Sequence, residues 1–458
     1  MKSLRPLPHV IDINQLLSAM CKIKPFPPFS TVISLYRQLL LLGIRPDNYS
    51  LTIMANCYCR LGLVDLGFSI LASFIKLGYQ PDIATFNTLI NGLLHSNNLD
   101  PAVKLLDKIN QAWPMPDVVI YSTIIDCLCK DNLLAKALNL FSEMKTKGIP
   151  PDVVTYTTLI QGMCILGLQR DAHQILTEML DNNILPDVET YTTLIGMYCK
   201  EAEVREARAI FDLMRNKGVY PDVITYNTLL DGYCLRGELH EAEKLMDQMV
   251  KDGCKPNVVT FNCLINGYCK SRRIDEALTL LHVMPLKGLT PDVVTYNTVI
   301  DALCKDNRLN CASQLLKEME FRGLKADVIT WSSLLHGLCK GAQINEAMKL
   351  FREMESNELV PNIITYSILC DGLCEAGRLG EAVEFFLTLP AKGLHPNSHT
   401  YNIIIKGLFK NGFMNEATEL LRSMEDNGCP PDACTYNTII EGFCMGRMSA
   451  RLWNLLPL

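Results

Sequence analysis

Shifted by 35 residues, this chain falls into register with itself over most of its length, and that period constrains its fold more than any other feature. Alanine recurs at this spacing from Ala102 to Ala417, cysteine from Cys129 to Cys374, methionine from Met144 to Met354 and proline from Pro46 to Pro291. A unit of this size is one supersecondary element. It cannot bury its apolar faces alone, so neighbouring copies must stack on one another.

Residues 223–257 show what the unit is. Tyr226, Leu229, Leu230 and Tyr233 fall at helical spacing and predict a first helix from Thr225 to Leu235. Gly237 ends it. Ala242, Leu245, Met246 and Met249 form the apolar stripe of a second helix from Leu239 to Lys251, closed by Gly253 and Pro256. The fold class expected is therefore all-α, a solenoid of about 12–13 helix-turn-helix repeats. Residues 1–9 form an N-terminal extension. The first repeat, 10–47, is lengthened at its inter-helix turn by Pro25, Pro27 and Pro28. Eleven 35-residue repeats fill 48–432, and 433–458 hold a partial repeat and an irregular tail without an alanine-centred second helix.

The bulk properties exclude several functions. With 48% hydrophobic and 20% charged residues the chain is a folding sequence, not a disordered one. No apolar run reaches the ~18 residues of a membrane span. The 19 cysteines mostly occupy one position late in the first helix, which reads as a small apolar packing residue. Pairs such as Cys57 and Cys59, or Cys127 and Cys129, lack zinc spacing and histidine partners, so no metal site is expected. No phosphate loop, HExxH or GxSxG motif appears and the eight histidines are scattered, so no catalytic residue, cofactor or small-molecule substrate is expected. A net charge of −6 weighs against a nucleic-acid partner unless the basic residues are gathered on one surface.

The segments Asp222–Cys234 (DVITYNTLLDGYC), Asp292–Lys305 (DVVTYNTVIDALCK) and Lys287–Asp292 (KGLTPD) resemble the pentatricopeptide repeat family, in its pure class of 35-residue repeats, and the resemblance covers residues 10–444. The opening, from Leu7 to Leu71, is similar to the fertility-restorer-like subgroup of plant mitochondrial members, in which a presequence normally precedes this point. Residues 1–9 are too short and proline-rich for a complete targeting peptide. The resemblance implies a right-handed superhelix, a mitochondrial location and a single-stranded RNA partner, an organellar transcript. It leaves room for a recruited nuclease or other processing factor, and implies a role in RNA processing, stabilisation or translation.

The resemblance also implies one nucleotide per repeat, read by the fifth residue and by the last, in the loop before the next repeat. Along the chain the pairs are Asn14 with Asp47, Thr52 with Asp82, Asn87 with Asp117, Ser122 with Asp152, Thr157 with Asp187 and Thr192 with Asp222. They continue as Asn227 with Asn257, Asn262 with Asp292, Asn297 with Asp327, Ser332 with Asn362, Ser367 with Asn397 and Asn402 with Asp432. Under the family's code they spell 5′-UGUGGG(C/U)UUAAU-3′. The thirteenth repeat has Asn437 but no loop partner. Short donors and acceptors near a helix start suit a base edge, although the same residue types also serve as helix caps and turn formers.

By the same resemblance the second residue of each repeat sandwiches the base: Ile11, Tyr49, Val119, Val154, Ile224, Val259, Val294, Ile329, Ile364 and His399, with Glu189 as the misfit of a weakly binding sixth repeat. A basic stripe follows the recurring cysteine position: Lys22, Arg60, Lys130, Lys200, Lys270, Lys305, Lys340 and Lys410, with His95 in the same register, placed to neutralise phosphates or to complement helix C-termini. Acids such as Glu206, Glu241, Glu276, Glu346, Glu381 and Glu416 lie beside the recurring alanine, away from that stripe. Two alternatives stay open: a helical-repeat scaffold for protein partners, and a truncated, non-functional restorer-like relative.

Overall fold

In a computed structural model, residues 9–445 are described apart from positions 24, 26, 97, 113–115, 357 and 358; the expected extension over 1–8 and the tail over 446–458 lie outside them. Among the described residues there are 25 α-helices, one short 3-10 turn and no strand. The helices alternate as expected, for example Val153–Ile165 then Gln169–Asp181, and Val258–Lys270 then Ile274–Leu286. The chain divides into two compact bodies, Met1–Thr225 and Tyr226–Leu458.

Each helix starts and stops for a local reason. The aspartate or asparagine closing one repeat is the N-cap of the next first helix. Asp152, for instance, accepts from the Thr155 backbone N–H at 2.9 Å and has extended backbone. First helices therefore begin directly after that cap: the helix expected from Thr225 starts at Val223, two residues earlier. At the C-terminal end of the same helix Gly237 takes a left-handed conformation (φ 72°), and Glu238 N–H returns to the Tyr233 carbonyl at 2.9 Å. Asn132, Ala202, Arg272 and Ala342 hold the equivalent turn with φ between 56 and 62°, the conformation glycine adopts without strain.

The recurring residues are the core. In the first body Tyr121, Tyr156 and Tyr191 are fully buried, as are Ala137, Ala172 and Ala207 and Met144, Met179 and Met214. Tyr296, Tyr366, Ala277, Ala312, Ala347, Met284, Met319 and Met354 are buried likewise in the second body. First helices stack on first helices through the cysteine position. A Cβ added to Gly162 would lie 2.7 Å from Cys129 Sγ, and one added to Gly407 would lie 2.6 Å from Cys374 Sγ. The eighteen described cysteines are free thiols. Burial pushes Cys129 and Cys374 up to about 11 and Cys304 and Cys339 up to about 12, which makes them inert packing residues.

Candidate nucleic-acid interface

At ten of the twelve junctions the structure joins the fifth residue to the loop residue assigned to it through a shared hydroxyl that sequence reasoning did not single out. The third residue of the following repeat is Ser50 or a threonine at nearly every junction, and it lies between the two. Thr295 Oγ1 is 2.7 Å from Asn262 Oδ1 and 2.8 Å from Asp292 Oδ1, while Asn262 Nδ2 donates to Asp292 at 3.2 Å. Asn14 donates to both oxygens of Asp47, at 2.9 and 3.0 Å, and Asn297 donates to Asp327 at 3.0 Å. Asn227 donates to Asn257 at 3.3 Å and Asn87 to Asp117 at 3.3 Å.

Where the fifth residue is a serine or threonine the same hydroxyl is its partner. Thr52 meets Thr85 at 2.8 Å, Ser122 meets Thr155 at 2.7 Å, Thr157 meets Thr190 at 2.5 Å and Thr192 meets Thr225 at 2.7 Å. In the second body Ser332 meets Thr365 and Ser367 meets Thr400, both at 3.0 Å. The fifth residues lie inside the helix, so the capping role that sequence left open for them belongs to the loop residues instead.

The cap engages one atom of each loop residue. Oδ1 of Asp82, Asp187 and Asp222 takes the backbone N–H and hydroxyl of the third residue. Oδ1 of Asn362 and Asn397 does the same. Their other side-chain atom is an acceptor in aspartate and a two-hydrogen donor in asparagine.

Beside these pairs the second residues stand out into solvent. Ile11, Tyr49, Val119, Val154, Ile224, Val259, Val294, Ile329 and Ile364 are all at least half exposed, between 50 and 65%. His399 and Glu189 are exposed too, and Gln161 Nε2 holds Glu189 at 2.9 Å. Scattered exposed apolar residues need no explanation, but these recur at a single register, each beside a polar pair. Next to Asn14, Asp47, Ile11, Tyr49 and Lys22 lies an open cavity of about 480 Å³. Asn266, Lys270, Lys305 and Asp301 line another of about 270 Å³.

All eight residues of the basic stripe are exposed. Several already face carboxylates: Lys130 with Asp126 and Lys305 with Asp301 at 2.6 Å, Lys410 with Glu375 at 2.7 Å and Lys340 with Asp371 at 3.3 Å. Exposed pairs of this kind contribute about 0.2–1 kcal/mol, so a phosphate can displace them. On the second helices the acids have their own partners, such as Lys244 for Glu241 and Arg378 for Glu381.

Burial pushes the Asp292 and Asp327 carboxyls up, but hydrogen bonds from the third-residue backbone and hydroxyl and from Asn262 or Asn297 outweigh it and hold both below the ordinary carboxylate range. A lowered native pKa stabilises the fold above the unfolded carboxylate range, near pH 4, and that stability is lost as pH falls through the native value. Urea midpoints are therefore expected to fall between about pH 5 and pH 3. The Asp292→Asn, Asp327→Asn double variant keeps the cap oxygens and should show a flatter pH profile; an unchanged profile would remove these two carboxyls from the account.

A tandem array of helical hairpins with a polar pair at the repeat junctions and, in most repeats, an exposed apolar second residue defines a modular helical-repeat protein. Models of the PPR repeat family match nine overlapping stretches from 116–165 to 396–445, and PPR repeat models match residues 49–79 and 77–110. The chain belongs to the pentatricopeptide repeat family. Two mitochondrial pentatricopeptide repeat-containing proteins of Arabidopsis thaliana are similar to it. One is 43% identical over 16% of this chain and 11% of its own length, and the other 46% identical over 12% and 10%. The chain thus matches about a tenth of the length of these relatives. Among solved structures, it is similar to the maize pentatricopeptide repeat protein PPR10 in complex with an 18-nt psaJ RNA element, at 20% identity and a TM-score of 0.48, covering 98% of this chain and 78% of that one.

Proposed function

We propose that the chain binds single-stranded RNA in sequence, one nucleotide for each of its twelve complete repeats, with target 5′-UGUGGG(C/U)UUAAU-3′, and that it acts on an organellar, mitochondrial transcript by binding rather than by catalysis. The observation that carries this reading is the pairing, repeat after repeat, of an exposed Val or Ile with a loop residue whose cap consumes only one side-chain atom. An aspartate in the loop leaves an acceptor, which suits the imino N–H of U or G. An asparagine leaves a donor, which suits the ring nitrogen of A or C. The apolar second residues would cover base faces, and the basic stripe would supply the salt-dependent phosphate attraction. Glu189, anchored by Gln161, would make the sixth repeat a weak contact. The helices hold about twelve nucleotides extended, which protects, remodels or marks a transcript, with any cleavage left to a recruited factor.

Binding of the purified chain to 5′-UGUGGGCUUAAU-3′, and to the same RNA with its three central G bases changed to A, tests this at two salt concentrations. At about 1–3 kcal/mol per mismatch the changed RNA is expected to bind about 100-fold or more weakly, and both affinities fall as salt rises. Equal affinity for the two RNAs rejects sequence reading.

A further inference from the structure

At most junctions the same buried hydroxyl contacts both proposed base-reading side chains, yet it cannot itself reach a ligand. Thr295, Thr330 and their equivalents are fully buried. In the junctions of Asn14, Asn227, Asn262 and Asn297 this hydroxyl settles the amide. Asn297 Nδ2 points to Asp327 at 3.0 Å and its Oδ1 to Thr330 Oγ1 at 2.5 Å. Thr330 Oγ1 in turn accepts from the Asp327 backbone N–H at 3.1 Å. Two contacts on opposite sides of the amide fix its rotamer and which face of it carries hydrogens. Positional order of this kind is what a reading group needs, because a side chain that must be ordered by its ligand discriminates less.

One junction lacks the hydroxyl. Between the third and fourth repeats the third residue is Ile120, which offers only its backbone N–H to Asp117, at 3.0 Å. Asn87 is then held by a single 3.3 Å bond to Asp117, and its Oδ1 is buried with no hydrogen-bond partner. The last junction is a milder case: Thr435 is present and caps with Asp432, but Asn402 Oδ1 has no partner. Among the fifth-residue asparagines, the orphaned oxygens thus occur where the hydroxyl is missing or turned wholly to its cap.

We infer that the third-residue hydroxyl is a positioning residue for base reading, and that Ile120 makes the third repeat a poorly discriminating site at which U and C are accepted with similar affinity. This rests on the RNA-reading proposal above. The Asn87 amide, tied at one end only, adjusts to either pyrimidine edge, whereas Asn297 presents a fixed pattern of donors to U.

The test measures affinity ratios with the full chain and 5′-UGUGGGCUUAAU-3′, comparing U with C at nucleotide three and at nucleotide nine. Discrimination at nucleotide nine is expected to exceed that at nucleotide three by at least about fivefold. Ile120→Thr should raise the ratio at nucleotide three alone. Thr330→Val should lower it at nucleotide nine alone, and Thr330→Ser, which keeps the hydroxyl, should restore it. A purely structural role would instead weaken all RNAs together and leave every ratio unchanged. Tight binding of the matched RNA with unchanged ratios in Ile120→Thr and Thr330→Val overturns this inference and leaves RNA reading intact. No binding of the matched RNA by the unaltered chain overturns both.

Discussion

Gly372→Val is expected to destabilise the chain by about 3 kcal/mol, at the upper end of what overpacking costs. A Cβ at 372 would lie 2.4 Å from Cys339 Sγ and 2.7 Å from Cys339 Cβ, with Ile344 Cδ1 at 3.3 Å. The sulfur can rotate away, but the Cys339 Cβ is fixed by its backbone, so the two first helices must part. Replacing a mid-helix glycine normally gains up to about 1 kcal/mol of helix propensity. That gain is smaller than the clash, and valine adds two further methyls and recovers less of it than alanine would. In a solenoid each repeat leans only on its neighbours, so the opening should start where helices Val328–Lys340 and Ile363–Glu375 meet. Urea midpoints and amide exchange at that junction would report it. Cys339→Gly in the same chain should recover part of the loss. A Gly372→Val protein as stable as the parent would refute the close packing.

That glycine was not legible from the repeat alone, and the reason is geometric. Residues buried within a repeat recur at 35, so the alanine, methionine and tyrosine positions and the packing role of the cysteines could be read directly. Contacts between repeats fall at other separations. Cys339 meets Gly372 and Cys129 meets Gly162, both 33 residues apart, and Thr52 meets Thr85 at the same 33. Asn262 reaches Asp292 across 30. A comparison at 35 cannot show that a cysteine and a glycine belong together, or that the third-residue threonine joins a reading pair. The signal was present in the co-occurrence of Cys59, Cys129, Cys234, Cys304, Cys339 and Cys374 with a glycine 33 positions later. The helix start was displaced for a related reason. Asp222 is the cap as well as the proposed reader, through its bond from Thr225 N–H at 2.8 Å, and a cap fixes the first helical residue directly behind it.

Because the loop residue is both cap and proposed reader, a single substitution can separate the two roles. Asn362 Oδ1 accepts from Thr365 N–H at 3.0 Å and from its hydroxyl at 3.2 Å. Asn362→Asp retains that oxygen and the helix start with it, and replaces only the Nδ2 donor by an acceptor. Ser332, paired with Thr365 at 3.0 Å, is left as it was. If the free atom of the loop residue meets the base edge, the tenth repeat should change from preferring A, whose N1 accepts, to preferring G, whose N1–H donates. The expected effect is a loss of about 2 kcal/mol, some 30-fold, for RNA carrying A at nucleotide ten, with a gain for RNA carrying G there. The extra negative charge weakens both RNAs equally by screened repulsion, so the A-to-G ratio is the quantity to measure, at fixed salt. Equal weakening of both would mean that the loop residue acts only as a helix cap. Unchanged thermal stability would confirm that capping survived, which leaves the change in ratio attributable to the one exchanged atom.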